Sequence, residues 1–410
     1  MTDHSSGSKS QKPENRAATK GSDEGTRRTS KGKKRSADAA TPLDPQWTDA
    51  AWRSRCRKRL LDWFADNARS LPWRRDPKPY HVWVSEIMCQ QTQVATVLPY
   101  FERFLRSYPT IADLAQADEG ELMRQWEGLG YYRRARGLHA AAKKIVAEHD
   151  GVFPETFDEV LALPGIGRYT AGAILSIACG QRHPILEGNT QRVFSRWVAL
   201  EGSPSETPNQ KALWQIAEAM LPPSDRPPGR DSGAFNQAAM ELGALVCKPR
   251  DPDCNVCPVS SMCAAKRLGM QSQIPGKVKK IQYEDKTEFA LILSDGAGRY
   301  LMRPIPKGGR WAGLWDFPRP VESSIDTGES ATRWLADQLG CSMALGSELA
   351  TIRHAVTKYR IRLSVHRVRS NEATLPRPPS PWTWLSVGEM SQKPLSVTGR
   401  KIAKMLDAEE

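Results

Sequence analysis

Four of the eight cysteines fall within residues 247–263, and this cluster constrains the fold more than any other feature of the sequence. Cys247, Cys254, Cys257 and Cys263 are spaced C-x6-C-x2-C-x5-C. In a reducing compartment, four close thiolates indicate a metal centre rather than disulfide bridges. Structural zinc sites usually show two separated C-x2-C pairs, whereas one short loop with three of the four ligands suits an iron–sulfur cluster. The spacing alone leaves both metals open.

The charge of the chain predicts a polyanionic partner. The formal net charge is +13, of which residues 1–40 contribute +5, so the excess also extends over the rest of the 410 residues. Such an excess of positive charge favours nucleic acid as the first candidate for this partner. No run of about eighteen apolar residues predicts a membrane span, and the N-terminus lacks the apolar core of a secretory signal. We therefore expect an intracellular monomer, in the cytoplasm with the nucleoid, or in the nucleus if the source is eukaryotic.

Composition and helical periodicity divide the chain into a predicted tail, two domains and a linker. Residues 1–45 are rich in Ser, Lys, Gly and Arg and are expected to be a disordered basic tail. Residues 46–270 carry apolar residues at helical spacing, and residues 271–285 form a polar, basic linker. Residues 286–410 mix strands such as RIRLSVHRV with a short helix, TRWLADQLG. The predicted fold is therefore multidomain, an all-α domain followed by a smaller α/β domain.

A glycine-rich turn opens an apolar helix at LPGIGRYTAGAIL, residues 163–175. Gly165 and Gly167 can take positive φ and leave backbone N–H groups pointing outward, and such donors at a helix N-terminus suit a phosphate. An ordinary helix–helix turn has the same signature, so the motif alone does not decide between the two.

Two carboxyl groups stand out, Glu86 in a largely apolar helix and Glu187 before Gly188. A carboxyl group in apolar surroundings has a raised pKa and can act as an acid at neutral pH, while a second, ionised one stabilises a cation. Cleavage of a C–N glycosidic bond needs both roles, because the leaving group is protonated and the sugar becomes oxocarbenium-like.

Residues 46–270 resemble the helix-hairpin-helix DNA glycosylases with an iron–sulfur cluster, the endonuclease III superfamily. LPGIGRYTAG and the cysteine spacing carry this resemblance. Within the superfamily, LPWRRDPKPYHVWVSEIMCQQTQV, GLGYYRRARGLH and NQAAMELGALVC are similar to the MutY family of adenine DNA glycosylases. GRWAGLWDFPRP, residues 309–320, resembles that family's Nudix-like recognition domain.

The resemblance implies a cofactor, a substrate and a reaction. The four cysteines would hold a [4Fe–4S] cluster that braces a DNA-contacting loop without breaking bonds. The substrate would be double-stranded DNA with adenine opposite 8-oxoguanine or guanine. The flipped-out adenine would be removed by hydrolysis of its N-glycosidic bond, as in base excision repair, and extrusion of a base from a duplex is the general solution for such enzymes.

The resemblance also assigns roles to residues. Glu86 would protonate adenine and later help to activate water, with Tyr169 and Asn189 in the same pocket. Glu187 stands where the family usually has Asp, and we expect it to stay ionised, with Gly188 absorbing the extra methylene. The other implied contacts are to the extruded adenine (Trp73, Arg74, Glu241), within the base stack (Gln91, Tyr131) and beside 8-oxoguanine (Thr92, Leu129).

Three departures from related patterns sharpen the expected function. Endonuclease III enzymes have a nucleophilic lysine where this chain has Tyr169, so we expect a glycosylase without strand-nicking activity. Thr357 and Lys358 occupy part of the loop where the family usually has Phe-Ser-His. Thr357 is expected to hydrogen-bond to 8-oxoguanine, and Lys358 is expected to contact phosphate or base. ESATRWLADQLG lacks the metal-binding carboxylates of Nudix hydrolases, so this domain should bind rather than hydrolyse.

Two alternatives remain, and both are less favoured. One is a thymine-mismatch glycosylase on the same scaffold, against which the Nudix-like domain argues. The other is a non-catalytic DNA-binding protein that senses redox state through its cluster, against which the retained Glu86 argues.

Overall fold

The structure is a computed structural model, and it describes residues 43–224, 230–276, 282–306, 308–320 and 324–409. The predicted basic tail up to residue 42 lies outside the described residues, and so do residues 277–281 of the predicted linker. Helices and strands are numbered below in chain order.

The first part of the described chain is helical, as its apolar spacing predicts. Two short 3₁₀ turns occur at Pro45–Thr48 and Ser260–Met262. The α-helices are α1 Ala50–Asn67, α2 Pro72–Arg75, α3 Pro79–Cys89, α4 Val94–Ser107, α5 Ile111–Gln116, α6 Glu119–Gln125, α7 Arg133–Glu148, α8 Phe157–Leu161, α9 Arg168–Ala178, α10 Gly188–Trp197, α11 Thr207–Met220, α12 Ser232–Leu245 and α13 Ala264–Arg267.

The stretch 81–108 keeps a helical apolar spacing throughout, yet it forms two helices. Helix α3 ends at Cys89 and α4 begins at Val94, and between them Gln91 takes a positive φ of 56°. A residue in the left-handed region cannot continue a right-handed helix. The break creates a turn that begins after Cys89, about one helical turn beyond Glu86 on α3.

Two hydrophobic cores hold the helices in place. One is built around the fully buried Trp83 and Trp126, and the other around Phe194 and Phe235. Helix α9 contacts α3 and α12, and α12 also contacts α10 and α1. The helices that carry Glu86, Tyr169 and Glu187 therefore meet in one place.

The second part of the chain is α/β, as predicted. Its strands are β1 Glu284–Leu293, β2 Arg299–Pro304, β3 Trp315–Asp316, β4 Met343–Val356, β5 Tyr359–Ser370 and β6 Thr383–Ser386. Its helices are α14 Gly328–Leu339, α15 Val387–Ser391 and α16 Val397–Asp407. One sheet has the order β1-β5-β4, with β1 parallel and β4 antiparallel to β5, and the other has the antiparallel order β3-β2-β6.

Strand β4 was not identified from the sequence. Its burial does not alternate regularly, because its pairing with β5 shifts register on both sides of Glu348. A register shift moves the following side chains to the other face and removes the period-two signal.

The helical and α/β parts belong to one compact unit, residues 41–410. Leu314, between β2 and β3, is fully buried in the helical core that contains Trp83. Burial of a leucine side chain contributes about 1.5–3 kcal/mol, so this contact helps to hold the two parts together. Among the described residues, no helix combines the length and the apolar character needed to cross a bilayer.

Candidate active site

A cavity of about 490 Å³ lies where α3, α9, α10 and α12 meet. Ligand sites are typically concave and partly apolar with a few convergent polar groups, and this cavity has that character. It brings together eight of the predicted site residues: Trp73, Arg74, Glu86, Thr92, Tyr169, Glu187, Asn189 and Glu241.

Glu86 is the acidic group at the centre of the cavity. Its Oε2 accepts a hydrogen bond of 2.6 Å from the hydroxyl of Tyr169, and no described residue donates to Oε1. Burial raises the pKa of Glu86 to about 7, the Tyr169 hydrogen bond lowers it, and the nearby Glu187 charge raises it further. A carboxyl group with this pKa is half protonated at neutral pH, and Oε1 is the oxygen that remains to deliver the proton.

Tyr169 lies in the first turn of α9, and this position places its side chain next to Glu86. Its hydroxyl is also 3.4 Å from the Met240 sulfur. Burial raises the pKa of Tyr169, and the charges of Glu86 and Glu187 raise it further, so the phenol stays protonated and remains a donor. Among the described residues that line the cavity, none is a lysine.

Glu187 is held by the helix that it opens. As the N-cap of α10, it accepts from the backbone N–H of Thr190 at Oε1 (2.9 Å) and from that of Asn189 at Oε2 (2.8 Å), and the Asn189 side-chain amide is 3.2 Å from Oε2. Burial raises the pKa of Glu187, and these donors oppose the rise. Because both oxygens face N–H donors, the arrangement favours the ionised carboxylate over the protonated acid.

A glycine on α12 makes room for this end of α10. A side chain at Gly243 would place its Cβ 2.6 Å from the Cβ of Asn189, closer than real contacts allow. The absence of a side chain lets α12 approach the Glu187–Asn189 segment, so a glycine is required there.

Glu241 does not stand free in the cavity. Its side chain is fully buried, and it accepts from Arg69 through Nε (2.8 Å) and Nη2 (2.7 Å) and from Arg74 through Nη2 (3.0 Å). Burial alone would raise the pKa of Glu241, but these hydrogen bonds outweigh it and hold the pKa at about 2. Glu241 therefore orients two arginines at the wall of the cavity.

Sequence reasoning missed several residues of the cavity wall. Arg69 was not singled out, because nothing in ARSLPW marks it as the partner of a carboxylate 172 residues later. The other residues that were missed are Leu71, Cys89, Gln93, Val94, Ala95, Met240 and Ala244. The position of Cys89, one helical turn after Glu86 on the same face of α3, was the one available signal.

The predicted stack-inserting residues lie on two neighbouring turns. Gln91 and Tyr131 both have positive φ, 56° and 49°, and both side chains are exposed. The Tyr131 side chain is 58% exposed, so its aromatic ring is available to a partner surface. Leu129, expected beside 8-oxoguanine, is instead 5% exposed and packs in the helical core.

The two glycines of the glycine-rich turn have different backbone conformations. Gly165 has a φ of 79°, as expected, but Gly167 does not take a positive φ (−109°) and is the N-cap of α9. Both residues are exposed, and among the described residues none accepts a hydrogen bond from their backbone N–H groups. Those donors at the N-terminus of α9 are available to an anion.

The four clustered cysteines are all free thiols. Burial raises the pKa of Cys257 to about 12 and that of Cys263 to about 11, and in both cases the charges of other thiols of the set raise it further. The Arg196 guanidinium lies 3.2 Å from the Cys247 sulfur. Among the described residues, no group of three or more Cys, His, Asp or Glu side chains is close enough to hold a metal ion.

Thr357 and Lys358 form the two-residue turn between β4 and β5. Thr357 has a φ of 52°, a strained conformation for a β-branched residue, and its hydroxyl donates to the carbonyl of Val356 (2.7 Å). Lys358 pairs with Glu284 (2.6 Å) at the surface. Both side chains are exposed, and they do not belong to the cavity.

Comparison with known proteins gives matches over both parts of the chain. Residues 84–219 match the family described as HhH-GPD superfamily base excision DNA repair protein, and residues 289–405 match the NUDIX domain family. The adenine DNA glycosylase of Homo sapiens is 40% identical over 306 residues, 72% of this chain. The chain spans about half of that relative's length, 54%.

A bacterial relative is matched over more of its length. The adenine DNA glycosylase of Buchnera aphidicola (Schizaphis graminum) is 37% identical over 278 residues, 67% of this chain and 76% of the relative. A solved structure of a thermostable thymine-DNA glycosylase aligns at 27% identity with a TM-score of 0.48, covering 54% of this chain and 100% of that one.

The fold and the site together define a class of protein. Glu86, Tyr169 and Glu187, which line the cavity, all lie within residues 84–219, the part that matches the HhH-GPD superfamily of base excision DNA repair proteins. The C-terminal Nudix match and the bacterial relative narrow this class. The chain belongs to the adenine DNA glycosylase family.

Proposed function

We propose that the protein is a DNA glycosylase that removes adenine opposite 8-oxoguanine or guanine and does not nick the strand. The observation that carries the proposal is the Glu86–Tyr169 pair, a carboxyl group with a pKa of about 7 in a cavity large enough for a purine. The family membership supports adenine as the base that is removed.

The two carboxyl groups divide the chemistry between them. Glu86 has a free oxygen and a pKa near neutrality, so it donates a proton to the extruded adenine and makes it a better leaving group. Glu187, with N–H donors on both oxygens, provides negative charge for the oxocarbenium-like sugar. Glu86, deprotonated after the first step, then accepts a proton from the attacking water.

The wall of the cavity positions the base. Trp73 offers an aromatic face and is held edge-to-face against Phe101, with ring centroids 5.0 Å apart. The Arg69–Glu241–Arg74 network forms another part of the wall, and all its members are hydrogen-bonded before any ligand binds. Such preorganisation removes the cost of ordering these groups when the base enters.

The exposed turns supply the contacts with DNA. Gln91 and Tyr131 are proposed to fill the gap left by the extruded base, which offsets part of the cost of unstacking. The free N–H groups of Gly165 and Gly167 are proposed to bind backbone phosphate. Thr92, Thr357 and Lys358 are proposed to lie near 8-oxoguanine, with Leu129 contributing through the shape of its loop.

The four cysteines fit a [4Fe–4S] cluster in donor chemistry, because all are free thiols and cysteine sulfur is the usual ligand of such clusters. The cluster would brace the loop 247–263. Helix α10 connects this loop to the cavity: Arg192 donates to the Cys247 carbonyl (2.7 Å) and to the Asn189 side chain (2.9 Å). Four irons per chain are expected by metal analysis, and one zinc without iron would reject the cluster.

The remaining parts of the proposal concern organisation. We propose a basic tail at 1–45, a catalytic domain at 46–270, a linker at 271–285 and a recognition domain at 286–410. Because the substrate is duplex DNA, we place the protein with the chromosome, in the cytoplasm of a bacterium or the nucleus of a eukaryote.

The proposed function is tested by an excision assay under single-turnover conditions on duplexes with A·8-oxoguanine, A·G and T·G pairs. Abasic sites are expected from the two adenine duplexes, and strand breaks only after alkali. Because no lysine lines the cavity among the described residues, borohydride trapping is expected to be weak. Excision of thymine alone, or efficient nicking by the purified protein, would contradict the proposal.

A further inference from the structure

One ion pair joins the C-terminal part of the chain to the loop that carries Tyr131. Arg400 on α16 donates to both oxygens of Glu127, through Nε at 2.7 Å and Nη2 at 2.9 Å. The backbone N–H of Leu395 is 3.4 Å from Glu127 Oε2. The two side chains are 22% and 17% exposed, so the pair is largely shielded from water.

Arg400 itself is held in one orientation. Its guanidinium also donates to the carbonyls of Met390 (3.0 Å) and Lys393 (2.8 Å). A planar guanidinium with several fixed acceptors loses its freedom to rotate. The Arg400 guanidinium is therefore fixed relative to the C-terminal part.

Glu127 precedes a segment that has little freedom of its own. Positive φ values occur at Gly128 (102°), Gly130 (70°) and Tyr131 (49°). The Glu127 carbonyl accepts from the Tyr100 hydroxyl at 2.9 Å, and a Cβ at Gly128 would lie 2.1 Å from that hydroxyl. The backbone path of the segment 128–131 therefore depends on the position at which Glu127 is fixed.

A second arginine extends the connection to the other exposed turn. Arg134 donates to the carbonyls of Leu129 (3.1 Å) and Gly130 (3.2 Å). Its other nitrogen donates to the carbonyls of Ile87 and Met88, 2.9 and 2.8 Å away, and to that of Gln90. One half-buried cation thus links the turn with Tyr131 to the turn with Gln91.

We propose that Glu127 and Arg400 are positioning residues, through which the C-terminal domain sets the two turns that carry Gln91 and Tyr131. This inference rests on the proposed function, because it assigns those turns to the opened duplex. Contacts between the C-terminal domain and the base opposite adenine thereby affect how the protein holds the strand that carries adenine. Neither Glu127 nor Arg400 lines the cavity.

The energetics favour a positioning role over simple adhesion. Leu314 already joins the two parts through the helical core, and Arg136 donates to the carbonyl of Ala312. A largely buried ion pair is a weak source of net stability, since desolvation offsets most of the attraction. What the pair adds is a defined geometry at the one residue that leads into the segment 128–131.

The test uses Glu127→Gln, Arg400→Gln and the double variant in the full chain. Arg124→Gln is the matched control, because Arg124 forms a similar two-pronged pair with Glu121 (2.8 and 2.7 Å) without contacting the C-terminal part. Binding is measured to duplexes with a tetrahydrofuran abasic analogue opposite 8-oxoguanine or guanine, which needs no catalysis. Thermal melting identifies variants that do not fold. If Arg400→Gln does not fold, the test rests on Glu127→Gln, which is the smallest change.

The preference for 8-oxoguanine over guanine is expected to fall by about two- to thirtyfold in each single variant, the range over which coupling contacts act. The double variant should lose no more than either single one, because the two residues act as a unit. The control should keep the wild-type ratio. Equal loss on both duplexes, additive losses or an unchanged ratio would overturn the inference. Failure of the wild type to excise adenine would instead reject the proposed function.

Discussion

The cavity around Glu86 and the β4–β5 turn at Thr357 differ in structure, and the proposed function gives them different roles. In the cavity, carboxyl groups are shielded, hydrogen-bonded and shifted in pKa before any substrate arrives. At the turn, Thr357 and Lys358 are exposed, and Thr357 has a positive φ. Proton transfer requires a fixed, desolvated group, whereas reading a base in a duplex requires side chains that project from the surface. Changes in the cavity should therefore affect rate, and changes in the turn should affect choice of partner.

The largest effect is expected from Glu86→Gln. The amide keeps the shape but cannot donate the proton, and general acid catalysis contributes about 10²–10⁴-fold. Single-turnover excision should fall by that factor while duplex binding stays close to that of the wild type. Lys358→Gln, at the turn, is the contrasting variant and should keep nearly the full rate. A loss of less than roughly tenfold in Glu86→Gln would mean that another group supplies the proton.

Glu187 is expected to show the next largest effect. Glu187→Gln removes the charge that supports the cationic sugar but keeps the length, and loss of such stabilisation costs about 10²-fold or more. Glu187→Asp keeps the charge and should retain most of the activity, since a short acidic side chain is also a good N-cap. Comparison of the two rates separates charge from reach. If the Gln variant matches the wild type, no carboxylate acts at this position.

The pH dependence should follow Glu86. In the proposed function the acid form of Glu86 is the active one, and the pKa of Glu86 is about 7, so the single-turnover rate should decline as the pH rises through 7. Tyr169→Phe removes a hydrogen bond that lowers this pKa, so the decline should move to higher pH. A decline at the same pH in both proteins would show that Tyr169 does not tune Glu86.

The same raised pKa has a consequence for stability. Between its ordinary value of 4.5 and about 7, Glu86 binds more protons in the folded state than in the unfolded state, so folding becomes less favourable as the pH rises through this window. Glu86→Gln should therefore raise the melting temperature more at pH 8 than at pH 5, compared with the wild type. An equal change at both pH values would contradict the shifted pKa.

The smallest effect is expected from Thr357→Val. Valine is also β-branched, so the backbone strain is unchanged and only the hydroxyl is lost. Loss of one hydrogen bond to 8-oxoguanine should lower the preference for A·8-oxoguanine over A·G by about two- to tenfold. The excision rate on A·G, where that bond is not made, serves as the internal control. An unchanged preference would remove Thr357 from the reading of the opposite base.

How far the sequence could predict the site depended on how local each signal was. The cysteine spacing, the hairpin turn at Gly165 and the carboxyl groups Glu86 and Glu187 are visible within a few residues of sequence. The partnership of Arg69 with Glu241 and the burial of Leu129 are not, because they depend on contacts between distant segments. Gly167 does not have the positive φ that its residue type allows, because glycine permits a positive value without requiring it.

The sequence by itself determined the class of fold, the two-domain order and the chemistry available to the protein, because periodicity and residue type act locally. The resemblance already assigned the acid role to Glu86, and the tertiary structure adds the different surroundings of the two carboxyl groups. Glu86 and Glu187 have the same side chain and similar intrinsic pKa values. Helix packing gives Glu86 one hydroxyl donor and a free oxygen, and it gives Glu187 N–H donors on both oxygens. Protonation is set by burial and by hydrogen-bond partners, and both come from elements far apart in the chain.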